Sequence, residues 1–232
     1  MMIIKSTPLP SEIKAIFSDF YGTLVHEDGA VIKRITKEIA ETGATDNTSE
    51  IGNFWWREFQ GCIEKSFGDS FQTQRELEYL SLRKTIEHFH STADAVILSE
   101  LMFDFWTKPP AFEDSKPFFE QCELPVYIVS NIDRLDVCRA VDYHGFTPAG
   151  IFTSEDARAY KPRSEIFLLV LESTGLKSHE VIHIGDSLSS DVAGAQAVGI
   201  RALWLNRGSR EAPQGVLSVQ SLTEALAKLN AE

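Results

Sequence analysis

The sequence predicts an α/β protein: a Rossmann-like parallel sheet core, three layers deep (α/β/α), with a small helical cap domain inserted after the first strand. Three observations predict it. Short apolar, β-rich runs recur along the chain; those in its second half alternate with helical patterns; and the interval between the first two runs is too long for one crossover.

The first run, Ala15 to Asp19, is continuously apolar up to Ser18, as suits a strand covered on both faces. Helical patterns follow over Val31 to Thr42, about Ser49 to Phe67, Gln72 to His90, and Ala93 to Trp106, and Pro109 and Pro110 close the series. Breaks near Glu27 to Ala30 and Lys108 to Ala111 read as hinges. They divide the chain into a catalytic core of residues 1–27 and 109–232 and a cap of residues 28–108. The second strand is Val126 to Asn131, the third Ile151 to Thr153, the fourth Val181 to Asp186, the fifth Arg201 to Leu205, and a weak sixth spans Val216 to Val219. Between them, Ser164 to Thr174 ends at Gly175 and Ser189 to Val198 ends at Gly199. Ser221 with Glu224 forms a capping box that opens a last helix.

The formal net charge of −12 opposes a phosphate backbone, so nucleic acid is not an expected partner. The opening "MMIIKSTPLPSEIKAIF" lacks the apolar core of a signal peptide, and no apolar stretch is long enough to span a membrane, so a cytosolic (cytoplasmic) protein is expected. Cys62, Cys122 and Cys138 are odd in number and without metal-ligand spacing, and read as packed thiols. Phe54, Trp55, Trp56 and Phe59 in the insert serve packing or line a pocket. Trp55 and Trp56, being adjacent, cannot face the same way, and an exposed patch around Trp55 would equally suit a dimer, so the oligomeric state stays open.

Open parallel sheets bind ligands beyond the carboxyl ends of their strands. Polar residues gather there: Asp19 after the first strand, Ser130 and Asn131 after the second, Lys161 in "AYKPRSE" after the third, and Asp186 in "HIGDSLSSD" after the fourth. Singly, each is explained as a turn former, a cap or a surface lysine. In this order, at successive strand ends, they describe one site.

The set "DFYGTL", "SN", "YKP" and "GDSLSSDVAGAQAVG" resembles the haloacid dehalogenase superfamily, over nearly the whole chain outside the helical insert. For its phosphatases the resemblance implies that Asp19 attacks phosphorus to give an aspartyl-phosphate, which water hydrolyses. It implies Mg²⁺ on Asp19, the backbone carbonyl of Tyr21 and Asp186, with Asp191 in support. Ser130 and Lys161 join the chemistry, and Gly22, Thr23, Asn131 and Lys161 surround a small phosphorylated substrate. A carboxylate approaching a phosphate dianion needs a divalent cation and a lysine to offset charge, which is what this set offers.

Tyr21 departs from the phosphatase pattern, where a second Asp serves as general acid and base. A phenol is a poor base at neutral pH, and losing a positioned acid and base costs about 10²- to 10⁴-fold. Tyrosine here resembles the metal-independent 2-haloacid dehalogenases, in which the aspartate displaces halide from carbon. Those enzymes replace the Gly-Asp of the fourth motif, which this chain keeps, and use a cap arginine, for which Arg57 and Lys65 are the available cations. Two carboxylates side by side without a metal would raise one pKa and weaken the nucleophile. The expectation is therefore a metal-dependent phosphohydrolase, with a dehalogenase and a phosphate-binding protein without turnover as alternatives. His183 reads as a packed strand residue, His88 and His90 do not share a helix face, and Arg134, Arg158 and Arg163 are undecided between substrate and solvent.

Overall fold

The structure is a computed structural model that describes residues 12–230. The opening residues considered as a leader therefore lie mostly outside it. Strand β1 (Ala15–Ser18) leads into four helices, α1 (Gly29–Thr42), α2 (Thr48–Ile63), α3 (Gln74–His88) and α4 (Ala95–Thr107), which pack in sequence on one another. The chain returns through α5 (Ser115–Gln121) to β2 (Val126–Ser130), α6 (Arg134–His144), β3 (Gly150–Thr153), α7 (Ser154–Ala157) and α8 (Ser164–Thr174). It finishes with β4 (Val181–Gly185), α9 (Ala193–Ala197), β5 (Arg201–Leu205), β6 (Leu217–Val219) and α10 (Leu222–Leu229).

The six strands form one parallel sheet in the order β3-β2-β1-β4-β5-β6. Alternate strand residues face opposite ways. Ile16, Ile128, Ile182, Ile184 and Leu203 join Phe118, Val137 and Leu222 from α5, α6 and α10 on one side. Phe17, Val129, Val181 and Trp204 join Ile166, Phe167 and Ala195 from α8 and α9 on the other. Both faces are dry, which is why the strands read as unbroken apolar runs. The chain builds outward from β1 through β2 to β3, then jumps back to β4 on β1's other side. That reversal opens a crevice at the carboxyl ends of β1 and β4, where sheets of this kind bind ligands.

The element boundaries shift by a few residues from those read in the sequence, most at α2, which ends at Ile63 rather than Phe67. The stretch expected to be helical from Ser189 begins as a π turn over Leu188–Val192 before α9. Helix α6 carries no strong periodic signal, since only Val137, Ala140 and Val141 are buried apolar positions on it. Trp55 is buried and Trp56 is 62% exposed, so an exposed aromatic surface centres on Trp56, not Trp55. No helix among the described residues is long and apolar enough to cross a membrane.

Candidate active site

Asp19 follows β1 at the crevice, its backbone N–H held by the Ile184 carbonyl at 2.9 Å. Lys161, only 3% exposed, reaches it from the loop before α8. Its Nζ donates to Asp19 Oδ1 at 2.6 Å, Asp191 Oδ1 at 2.7 Å and the Val129 carbonyl at 2.9 Å. Three acceptors use all three ammonium hydrogens. Asn131 fixes the backbone of this lysine: its Oδ1 accepts from Lys161 N at 2.7 Å and its Nδ2 donates to Lys161 O at 3.3 Å. The carboxamide expected at the substrate thus aligns the lysine.

Asp191 accepts from Lys161 and from His183 Nε2 on Oδ1, and from Ser187 N on Oδ2. Burial would raise its pKa, but Lys161 and His183 outweigh burial and hold it well below the ordinary value. For Lys161 burial acts downward, and Asp19 and Asp191 reverse it, so the ammonium stays charged. Burial pushes Asp19 up, with Lys161 offsetting only part of it. Asp186 has no such partner. Among the described residues no donor meets its carboxylate, and burial, then Asp19 and Asp191, push it up to about 8.

One lysine therefore serves two acids, and a third stands uncompensated beside them. Asp19, Asp186 and Asp191 each offer an oxygen within 4.8 Å of the others. The Tyr21 carbonyl likewise accepts no hydrogen bond among the described residues. A hard divalent cation that takes few carboxylates and keeps its waters fits this oxygen set.

Two glycines make room for these acids. Gly22 has φ +87°, and a Cβ there would lie 2.7 Å from the Asp186 carboxyl. At Gly185 a Cβ would lie 2.3 Å from the Asp191 carboxyl carbon. The glycine immediately before Asp186 thus admits Asp191, a role sequence reading missed. It also missed that His183, although packed edge-on against Phe167 as a strand residue, touches the site through Asp191. The parallel register that sets His183 beside Phe17 supplies the reason, but no local motif announces it.

The Tyr21 phenol does not face a substrate as a free base. Its hydroxyl donates to the Trp106 carbonyl at the end of α4, while the Trp106 indole donates to Asp28 Oδ2 at 3.0 Å. Burial, then Asp136 and Asp28, raise its pKa well above the ordinary value. Here tyrosine is a neutral tie between the first-strand loop and the helical insert.

The remaining expectations separate clearly. A cleft of about 240 Å³ lies between the strand ends and the insert, lined by Asp19, Tyr21, Ser130, Asn131, Lys161 and Asp186 from one side. Trp56, Gln74 and Trp106 line it from the other. Ser130 is buried, and its Oγ accepts from Ile132 N at 3.2 Å, leaving its proton to give. Thr23 lies outside the cleft, buried, with its carbonyl holding Arg207. Among the described residues no arginine lines this cleft. Arg134 pairs with Asp156, Arg163 with Glu165, Arg158 bonds the Gly68 carbonyl, and Arg57 sits over the Phe54 ring. Lys65 is exposed.

The insert is tied down over the cleft. Asp133 accepts from Gln74 N at 2.8 Å and Arg75 N at 3.0 Å, satisfying the first amides of α3, and Arg75 grips buried Asp136 with two bonds of 2.7 and 2.6 Å. Tyr160 donates to the Gln72 carbonyl at 2.8 Å.

A family model described as haloacid dehalogenase-like hydrolase matches residues 13–199. The haloacid dehalogenase-like hydrolase domain-containing protein 3 of Danio rerio is 35% identical over 132 residues, 51% of this chain and 52% of that protein. The phospholysine phosphohistidine inorganic pyrophosphate phosphatase of Danio rerio is 46% identical over 48 residues, 21% of this chain and 18% of its own. The chain thus spans about half the length of the first relative and less of the second. A solved L-2-haloacid dehalogenase superposes with a TM-score of 0.78 at 17% identity, covering 94% of this chain and 99% of that one, a likeness of fold.

Proposed function

The chain belongs to the haloacid dehalogenase-like hydrolases, and from that premise we propose that it is a Mg²⁺-dependent phosphohydrolase of a small phosphorylated metabolite, working through an aspartyl-phosphate on Asp19. The observation that supports this most is Asp186. A half-buried carboxylate with no donor, next to two acids that already share one lysine, makes electrostatic sense when a cation completes the group. Residues 28–108 are taken as the cap, and residues 1–27 with 109–232 as the core.

Mg²⁺ on Asp19, Asp186 and the Tyr21 carbonyl would offset the charge between nucleophile and phosphate. Lys161 fixes Asp19 through Oδ1, which leaves Oδ2 to attack phosphorus. The bond from phosphorus to the leaving oxygen breaks, and its electron pair departs with that oxygen. Ser130 donates its hydroxyl hydrogen to a phosphoryl oxygen. Water then attacks phosphorus, the bond to Asp19 breaks, and phosphate leaves as the carboxylate is regenerated. With the Tyr21 hydroxyl engaged by Trp106, the leaving oxygen takes its proton from water, so substrates with good leaving groups react faster.

Tyr21 favours a second reading, metal-independent dehalogenation of a 2-haloacid. Against it stand, among the described residues, a cleft lined by no arginine and an Asp186 carboxylate with no donor, since a haloacid brings a carboxylate of its own. Phosphate release from an activated aryl phosphate, with Mg²⁺ and with chelator, tests the proposal, with Asp19→Asn as the control for contaminating phosphatases. Release that needs the metal and disappears in the variant supports it. Halide release from 2-haloacids in chelator, without phosphate release, replaces it with the second reading.

A further inference from the structure

The cleft continues past the strand ends into the helical insert. A hollow of about 130 Å³ lies there, and Asp28, Trp56, Gln74 and Trp106 line both spaces, so the two adjoin. Its inner wall is Trp55, Phe59, Met102 and Glu78.

Two acceptors in this wall lack donors. Glu78 Oε1 and Gln74 Oε1 are buried without a hydrogen-bond partner, in side chains whose residues are 4% and 9% exposed. A buried acceptor left unpaired costs the full desolvation of the group, so it is kept where something else supplies the hydrogen. Asp28, the other acid of the hollow, accepts only from the Trp106 indole and its own backbone. Among the described residues no lysine, arginine or histidine lines the hollow.

This wall selects by charge. An anionic group would meet Asp28 and the unpaired oxygens of Glu78 and Gln74, with no cation among the lining residues to neutralise it. A hydroxyl would bring one hydrogen to two waiting oxygens. A primary ammonium brings three hydrogens and a positive charge, which favours the ionised form of a Glu78 carboxyl that burial otherwise keeps protonated, and Trp55, Trp56 and Trp106 among the lining residues are of the type whose rings attract cations. The small volume suits an ammonium on a short aliphatic chain.

We propose that the hollow is a subsite for a primary ammonium carried on the leaving group of the phosphorylated substrate, held by Glu78 and Gln74 among tryptophan rings. The inference rests on the phosphohydrolase reading for where the phosphate sits. It makes the substrate class short aminoalkyl phosphoesters, and it gives the helical insert a charge preference opposite to that needed for haloacids.

Calorimetric binding of 2-aminoethyl phosphate and of its near-isostere propyl phosphate to Asp19→Asn protein with Mg²⁺ tests the subsite without turnover. The ammonium ligand should bind at least ~10-fold tighter, the low end for charge-assisted hydrogen bonds. In Asp19→Asn with Glu78→Gln, which keeps the shape and removes the carboxyl that ionises against the ammonium, the gap should close to within about 3-fold. Each ratio is taken on one preparation, so a misfolded fraction cancels. Equal affinities, a gap that survives Glu78→Gln, or no binding of either at millimolar concentration overturns the subsite. Aryl phosphate release by the unaltered protein is measured beside it: no release overturns the phosphohydrolase reading, and the binding ratio still decides the subsite.

Discussion

Glu78→Gln should stabilise the protein, by an amount that depends on pH in a known direction. The Glu78 carboxyl is buried in α3 with one oxygen unpartnered, and burial, then Asp28, push its pKa from 4.5 up to about 8. The native state therefore keeps a proton that the unfolded chain releases above pH 4.5. Stability from this group is fully present below that value and is lost as pH rises toward 8. At pH 7 the difference is about 2.5 pH units of free energy, or about 3 kcal/mol, and at pH 5 it is under ~1 kcal/mol. Glutamine does not titrate, so the gain over wild type should grow by about 1.4 kcal/mol per pH unit between roughly pH 5 and 8. Asp28 is the charged group facing Glu78, and Gln74, the other unpartnered acceptor, is neutral. Asp133 and Asp186, whose pKa values are pushed up to about 6 and about 8, slope the same way, but they cancel between variant and wild type. Urea unfolding of both proteins at pH 5, 6, 7 and 8, in chelator and without substrate, reads the difference. A gain that stays flat with pH, or a variant less stable throughout, would refute the reasoning about this carboxyl.

Lys161→Met should abolish phosphate release and cost about 3–5 kcal/mol in urea unfolding, because it leaves Asp19 and Asp191 buried without their shared cation. Adding Asp191→Asn should recover part of that loss, and a single variant within 1 kcal/mol of wild type, roughly the level of an exposed pair, contradicts the geometry. Gly185→Ala should lower stability by about 1–3 kcal/mol and depress turnover, whereas Gly29→Ala, where an added Cβ meets nothing within 4 Å, should do neither. Tyr21→Asp should raise kcat on alkyl phosphates at least ~10-fold relative to aryl phosphates, and Tyr21→Phe should leave kcat within about 3-fold. Equal gains on both substrate types would show that proton supply is not what tyrosine forfeits.

The part of this molecule legible in its sequence is the part where local pattern and global position coincide. Asp19, Ser130, Lys161 and Asp186 stand at or just beyond strand ends, and a parallel sheet brings strand ends together whatever else the chain does. The contact of His183 with Asp191 depends on which face of β4 the side chain takes, and the sequence carries no separate mark of it. The hollow in the insert was hidden for another reason. Helix α3 buries Gln74, Glu78, Ser81 and Thr85 beside Leu77, Leu82 and Ile86, so its inward face is as polar as its outward face and no amphipathic signal survives. A helix whose buried stripe is polar reads as a solvated one until its neighbours are known. Arg134, Arg158 and Arg163 were ambiguous for the opposite reason: any exposed arginine near a site could serve it, and here each is occupied elsewhere.

The tie from Tyr21 to Trp106 joins two events that are usually discussed apart. Tyr21, two residues after Asp19, has a carbonyl that accepts no hydrogen bond among the described residues, and it gives its hydroxyl to the last turn of α4. If that carbonyl ligates the cation, ion occupancy and the position of the insert are thermodynamically linked, and linkage runs both ways. Whatever free energy the ion gains from a seated insert, the seated insert gains from the ion. An aspartate at this position could carry protons; this chain has a strut there, and under the proposed metal chemistry what it costs in rate would be set against an ion that senses whether the insert is seated.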